Sequence, residues 1–137
     1  MATISTRGSY GVAAMAELAR YWGSGVVQIG RIAHALDLSQ NYMEQIFGAL
    51  RKAGLVESVR GAQGGYRLSR EPAAITVLEI LEVLEGGLCE VVEPKGSDGV
   101  MLFWKERHDA IRAQFEVTLE ELLAYDAKAK ETMIYYI

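Results

Sequence analysis

The chain has 137 residues, a mass of 15.1 kDa and a formal net charge of −4, with 50% hydrophobic and 23% charged residues. This suits one globular domain with a core and room for an association element, and excludes a disordered chain or two independent domains. One cysteine excludes an internal disulfide and a thiolate metal cage within one chain, and apolar runs of at most about five residues fall far short of the roughly 20 that a membrane span needs.

The N-terminal stretch reaches Glu17 before an apolar h-region develops, which argues against a signal peptide and for a soluble cytoplasmic protein. Residues 9–22 have a helical period, with Val12, Met15, Ala16, Ala19 and Trp22 on one face and Gly23 as the stop. A second helix spans 29–36, with Ile29, Ile32, Ala33 and Leu36 inward, and Asp37 breaks it as a residue that tolerates left-handed backbone. Ser39 then N-caps a third helix over 40–53, closed by Gly54, whose apolar stripe is Met43, Ile46, Phe47 and Leu50.

The period changes at Leu55. Residues 55–59 are partly alternating and β-branched, residues 60–65 are glycine-rich, and Tyr66-Arg67-Leu68 return, so a β-hairpin with a flexible basic tip is predicted. Thr76 and Glu79 form a capping box for a fourth helix that Gly86-Gly87 ends. Residues 87–99 form a loop with Cys89. A long helix begins near Val100, with Trp104, His108, Ile111 and Phe115 on one face, and Thr118 with Glu121 caps a shorter helix. The closing residues 133–137 (MIYYI) are apolar enough to dock.

The expected fold is mainly α with a small β-hairpin wing: a winged helix-turn-helix over 1–86, a sensor loop over 87–99 and dimerisation helices over 100–137. A helix fits the major groove, so the third helix can bury its stripe and offer its other face to base edges. That face carries Gln40, Asn41, Glu44, Gln45 and Arg51. Asn and Gln suit adenine, Glu accepts from cytosine, and Arg reaches guanine or phosphate. Ser39 to Gln45 is the turn that meets bases. Glycines at the hairpin tip let backbone approach a sugar-phosphate strand, and Arg60, beside Gly61, is placed for a narrow minor groove. Charge is divided in the same sense: residues 1–70 hold eight Lys/Arg against four Asp/Glu, whereas residues 71–137 hold six against fourteen. A polyanion responds to the face presented to it, since charges beyond about 10 Å are screened. No nucleophile–base pair or metal-ligand spacing is present, and the 61–65 segment lacks the lysine and following helix of a phosphate-binding loop, so no enzyme is expected.

Ser9-Tyr10-Gly11-Val12, Tyr42-Met43-Glu44-Gln45-Ile46-Phe47, Leu50-Arg51-Lys52-Ala53-Gly54-Leu55-Val56, Ser58-Val59-Arg60-Gly61-Ala62-Gln63-Gly64-Gly65-Tyr66, Ile75-Thr76-Val77-Leu78-Glu79-Ile80 and Leu102-Phe103-Trp104 together closely resemble the IscR/NsrR/CymR family of bacterial winged-helix regulators. The resemblance runs through essentially the whole chain. It implies a transcriptional regulator, a repressor by expectation, whose long helix pairs with its symmetry mate at a pseudo-palindromic operator in double-stranded DNA. The matching base- and groove-contact positions are Ser39, Asn41, Tyr42, Glu44, Gln45 and Arg60, and Trp104, His108, Ile111 and Phe115 fall at the dimer interface.

The chain departs from this pattern in its loop. Cluster-binding members place three cysteines there, and an iron–sulfur cluster takes about four donors. Here Cys89 stands alone among Glu90, Glu93 and Asp98, hard oxygen donors that suit such a cluster poorly. Some members take an acidic ligand from the first helix at the position that is Ser9 here, and His34 and His108 lie outside the loop. No cofactor or metal site is therefore expected; the alternative is a [2Fe-2S] cluster with non-standard ligands including Cys89. For the thiol itself, a small apolar residue beside Leu88 and Val91 stands against a redox sensor, which neighbouring Glu90 and Glu93 disfavour. Control by a partner protein, such as a cysteine-biosynthesis enzyme, or by a small-molecule effector also stays open.

Overall fold

In the first helix, Ser5 accepts a hydrogen bond from the Gly8 N–H (3.2 Å) and caps α1, Thr6–Ala19, in a computed structural model that describes residues 3–132. The helix thus starts and stops three residues earlier than its apolar period predicts, and Trp22 lies beyond it, 47% exposed rather than inward. The buried face includes Gly8 and Gly11 with Ala14, Met15, Leu18 and Ala19. Both glycines are there for room: a Cβ on Gly8 would run into the Glu85 side chain and one on Gly11 into Leu84. A period count based on large apolar residues passes over such positions.

The next two helices follow the predicted pattern. α2, Ile29–Leu36, ends at Asp37 in the left-handed region (φ 55°, ψ 46°). α3, Gln40–Lys52, begins where Ser39 Oγ accepts from the Tyr42 N–H at 3.2 Å, and its stripe of Met43, Ile46, Phe47 and Leu50 is fully buried. Strands β1, Val56–Val59, and β2, Gly65–Leu68, form an antiparallel hairpin with Val56 opposite Leu68 and Val59 opposite Gly65. Among the described residues, six α-helices and this two-stranded hairpin make the mainly α winged-helix architecture.

A 3-10 turn at Pro72–Ala74 leads into α4, Val77–Glu85. The capping box at Thr76 is only half formed. Thr76 Oγ1 accepts from the Glu79 N–H (3.1 Å), but the Glu79 carboxylate takes a 2.6 Å bond from Arg70 instead of reaching back to Thr76. An arginine across from it outcompetes a backbone amide. α5, Asp98–Gln114, starts two residues before Val100, because Ser97 Oγ accepts from the Val100 N–H (3.3 Å) and Asp98 sits favourably in the first turn. α6, Leu119–Thr132, has the complete capping box: the Glu121 N–H donates to Thr118 Oγ1 (3.0 Å) and the Thr118 N–H to Glu121 Oε1 (3.4 Å). Residues 133–137, expected to dock, lie outside the described residues.

α6 and the segment before it are built into the core, whereas α5 buries no residue of its own. The first-turn amides of α4 have no partner inside their own helix, and the chain between α5 and α6 supplies one for each of two. Val77 N–H donates to the Val117 carbonyl (2.7 Å) and Leu78 N–H to that of Phe115 (2.9 Å), while Leu119 N–H returns a bond to Ile75 (2.9 Å). Leu119 is fully buried and belongs to the main core cluster that α1, α3, α4 and the wing also enter. A smaller cluster of Val77, Leu78, Leu81 and Leu88 takes Phe115 and Val117 against it. Among the described residues no helix is long and apolar enough to cross a membrane.

Leu119→Ala is expected to cost about 2–5 kcal/mol of unfolding free energy, as for other large-to-small changes in a filled core. Urea unfolding followed by circular dichroism checks it, and a loss below about 1 kcal/mol would separate α6 from the core.

Candidate nucleic-acid interface

Burying one stripe of α3 leaves its opposite face as a polar ridge. Ser39, Gln40, Asn41, Glu44, Gln45 and Arg51 are exposed on it, and Tyr42 is half-buried with its ring edge-on to Tyr10 at 6.0 Å. Ser39 Oγ already accepts from Tyr42, so its hydroxyl proton is still free to donate to an external oxygen. Arg51, in the last turn, is exposed as well.

The wing is fixed to this ridge from behind. Val27 and Tyr66 exchange two backbone hydrogen bonds of 2.8 Å, which adds a one-residue third rung beside the hairpin. The Tyr66 ring lies 5.0 Å from that of Phe47, on the buried side of α3. Gly65 permits the approach, since a Cβ there would press into the Val27 carbonyl group. At the tip, Arg60 and Gly61 are exposed, Gly61 takes φ +111°, and Gly64 N–H closes a turn on the Gly61 carbonyl (2.9 Å).

Between α3 and the wing runs an open groove of about 510 Å³, whose walls include Gln40, Arg51, Arg60 and Gly61. These four residues, predicted from two separate parts of the chain, therefore share one surface feature. Ser39, Asn41, Tyr42, Glu44 and Gln45 lie outside the groove lining, on the same turns of α3. Gln28 and Ser58 also line the groove and were not singled out from the sequence. Gln28 stands where a helix cap is expected yet makes no cap bond, the one signal that its side chain serves something else.

Ion pairing divides the basic residues. Arg20 bonds Asp126 (2.7 Å) and Glu17 (3.3 Å), Arg67 bonds Glu57 (3.0 Å), and Arg70 bonds Glu79 (2.6 Å). The Asp126 hydrogen bond holds the Arg20 pKa above its ordinary value. Among the described residues, Arg51, Lys52 and Arg60 are exposed and enter no ion pair, and Arg51 and Arg60 line the groove. A net −4 chain thus keeps a locally cationic edge where α3 meets the wing.

The second half is arranged differently. Cys89 is exposed with φ 52°. His108 is half-buried, its Nε2 3.4 Å from Glu90 Oε1 without hydrogen-bond geometry. Trp104 is 39% exposed, whereas Ile111 and Phe115 are half-buried and Phe115 turns into the smaller core cluster. Asp109 is held below the usual carboxylate range by its 2.7 Å hydrogen bond from Lys105. Among the described residues no group of three or more His, Cys, Asp or Glu is placed to hold a metal ion. One exposed thiol, with its neighbour Glu90 turned to an imidazole, does not supply the roughly four donors of an iron–sulfur cluster.

Comparison with known proteins agrees with this geometry. The family described as "Rrf2: Iron-dependent Transcriptional regulator" matches residues 4–125. The HTH-type transcriptional regulator CymR of Bacillus subtilis is 42% identical over 137 residues, covering 98% of this chain and 99% of that protein. IscR of Cereibacter sphaeroides is 44% identical over 84 residues, which cover 60% of this chain and 54% of that protein. Among solved structures, CymR, the global cysteine regulator of B. subtilis, superposes with a TM-score of 0.78 at 44% identity, covering 91% of this chain and 98% of that one. IscR of T. potens does so at 0.75 and 40% identity, covering 93% and 90%.

Gly65→Ala tests the attachment of the wing. A methyl group 2.6 Å from the Val27 carbonyl carbon forces the Val27–Tyr66 bridge apart, and an expected loss of about 1–3 kcal/mol follows in urea unfolding. The near-UV circular dichroism of Tyr66 should weaken with it; unchanged stability and spectrum would mean that the bridge does not hold the wing.

Proposed function

The chain belongs to the Rrf2 family of transcriptional regulators, and from that premise we propose that it acts in the cytoplasm as a homodimeric repressor gripping a pseudo-palindromic operator. It is a DNA-binding regulator and not an enzyme. The observation that carries the reading is the groove where Gln40, Arg51, Arg60 and Gly61 meet, with an exposed polar ridge beside it. When α3 enters a major groove and the wing tip the adjacent minor groove, one sugar-phosphate strand must pass between them. Arg51 faces that strand, Arg60 enters the minor groove, and Asn41, Glu44 and Gln45 read base edges, with Ser39, Gln40 and Tyr42 setting register on phosphate.

A second copy is required by reach. One recognition helix reads only a few base pairs, and a two-fold pair doubles the site. In support, Val100, Met101, Leu102, Phe103 and Trp104 at the start of α5 are each 39–55% exposed, a run of apolar side chains left uncovered among the described residues. Trp104 and His108 then belong to the paired surface, with Ile111 and Phe115 beneath it.

The regulator works without a three-cysteine cluster, because Cys89 is its sole thiol. A [2Fe-2S] cluster with non-standard ligands would need donors from both protomers around Cys89. The input therefore falls to the 87–97 loop, through the thiol, a small molecule or a partner protein. Similarity along the full length to a global cysteine regulator makes sulfur amino-acid genes the first operators to test.

Arg60→Ala should weaken operator binding by about 1–3 kcal/mol and reduce the salt slope by about one phosphate contact, measured by fluorescence anisotropy across a salt series. Unchanged affinity would remove the wing from the contact. Trp104→Glu should shift the protein from dimer to monomer in sedimentation velocity; a persistent dimer would place the paired surface elsewhere.

A further inference from the structure

We propose that Gln28 is a positioning residue that latches the wing tip to the start of α2 and thereby sets the span between the minor-groove and major-groove contacts. This rests on the operator reading above. The paired ladder of the hairpin ends at Val59 opposite Gly65, so residues 60–64 project beyond it. That projection contains Gly61 and Gly64, and the only bond inside it is the turn from Gly64 N–H to the Gly61 carbonyl. Backbone of this kind has many accessible conformations, and its two glycines have no side chain to pack. Left to itself, it would carry Arg60 through a wide arc.

One contact restrains it. Gln28 Nε2 donates to the Ala62 carbonyl at 3.4 Å, and among the described residues this is the one hydrogen bond joining residues 60–63 to the body of the domain. Gln28 directly precedes α2 and is well placed for the task, because its side chain makes no cap bond to that helix. Its backbone is fixed in turn. Val27, the preceding residue, is bridged to Tyr66, and Arg31 N–H bonds the Gln28 carbonyl at 3.0 Å. Gln28 also lines the groove with Arg51 and Arg60, so the latch borders the channel assigned to the phosphate strand. Arg60 is thereby held at a set distance from Gln40 and Arg51 before DNA arrives. Such preorganisation increases affinity by lowering the ordering cost, and it favours operators whose groove spacing matches.

The test uses Gln28→Met, which keeps length and removes the donor, and Gln28→Ala. The duplex is the sequence that the unaltered protein enriches from a randomised pool. In the free protein, the heteronuclear NOE of Gly61, Ala62 and Gln63 should fall in both variants while Tm stays unchanged. Operator Kd should rise about two- to ten-fold, the effect of one hydrogen bond. In an Arg60→Ala background the same changes should add nothing, because the latch acts through Arg60. An unchanged NOE would overturn the latch, whatever the DNA result. Losses additive with Arg60→Ala would overturn it in favour of Gln28 touching DNA itself. If the unaltered protein enriches no duplex, the operator reading falls and the DNA role of the latch with it, while the NOE still reports on the bond.

Discussion

Two backbone hydrogen bonds of 2.8 Å between Val27 and Tyr66, with the Tyr66 ring 5.0 Å from Phe47, join the hairpin to α3. Each such bond contributes only about 1 kcal/mol and an aromatic pair about as much. Their effect here is geometric more than energetic. Phe47 is fully buried in the stripe that orients α3, so the same packing that turns the polar ridge outward also sets the plane of the wing. The residues proposed to face DNA then lie on two edges joined through one packed body, with the groove between them.

The C-terminal half is tied to that body by main-chain bonds at the start of α4 and by buried Leu119. Side chains follow the same route. Three glutamates of α4 each reach a different neighbour: Glu79 bonds Arg70 at the foot of the wing, Glu82 bonds Arg112 of α5, and Glu85 accepts from Ser5 ahead of α1. These pairs are largely exposed and individually weak. They nonetheless show where acidic residues of the second half go: several hold basic or polar groups of the fold in place, away from Arg51 and Arg60 at the groove. Through α4, the loop with Cys89 and the wing are attached to opposite ends of one helix.

Much of this was legible wherever local chemistry decides. α2 and α3 carry strong punctuation in Asp37, Ser39 and Gly54, and four large apolar residues fix the ridge of α3 by exclusion. The hairpin announces itself by its glycines. The apolar period places α1 three residues late because its packed face begins with Gly8 and Gly11, which score as neutral in any apolar count. The same period draws Trp22 inward, although the chain has left the helix by then. The half-formed box at Thr76 depends on Arg70, nine residues upstream, and no local motif contains that competitor. The pairing of residues 75–78 with 115–119, and the meeting of Gln28 with Ala62, join segments far apart in the chain, and such contacts leave no periodic trace. Which arginines would be neutralised by partners was hidden for the same reason.

Hydroxyl-radical footprinting of the enriched duplex tests most directly whether ridge and wing grip DNA as one body. A duplex gripped in this way shows, in each half-site, a protected minor-groove stretch immediately beside the bases read by α3, with the two half-sites centred about one duplex turn, or a multiple of it, apart. Protection confined to the major-groove side, or half-sites without that helical phasing, would contradict it.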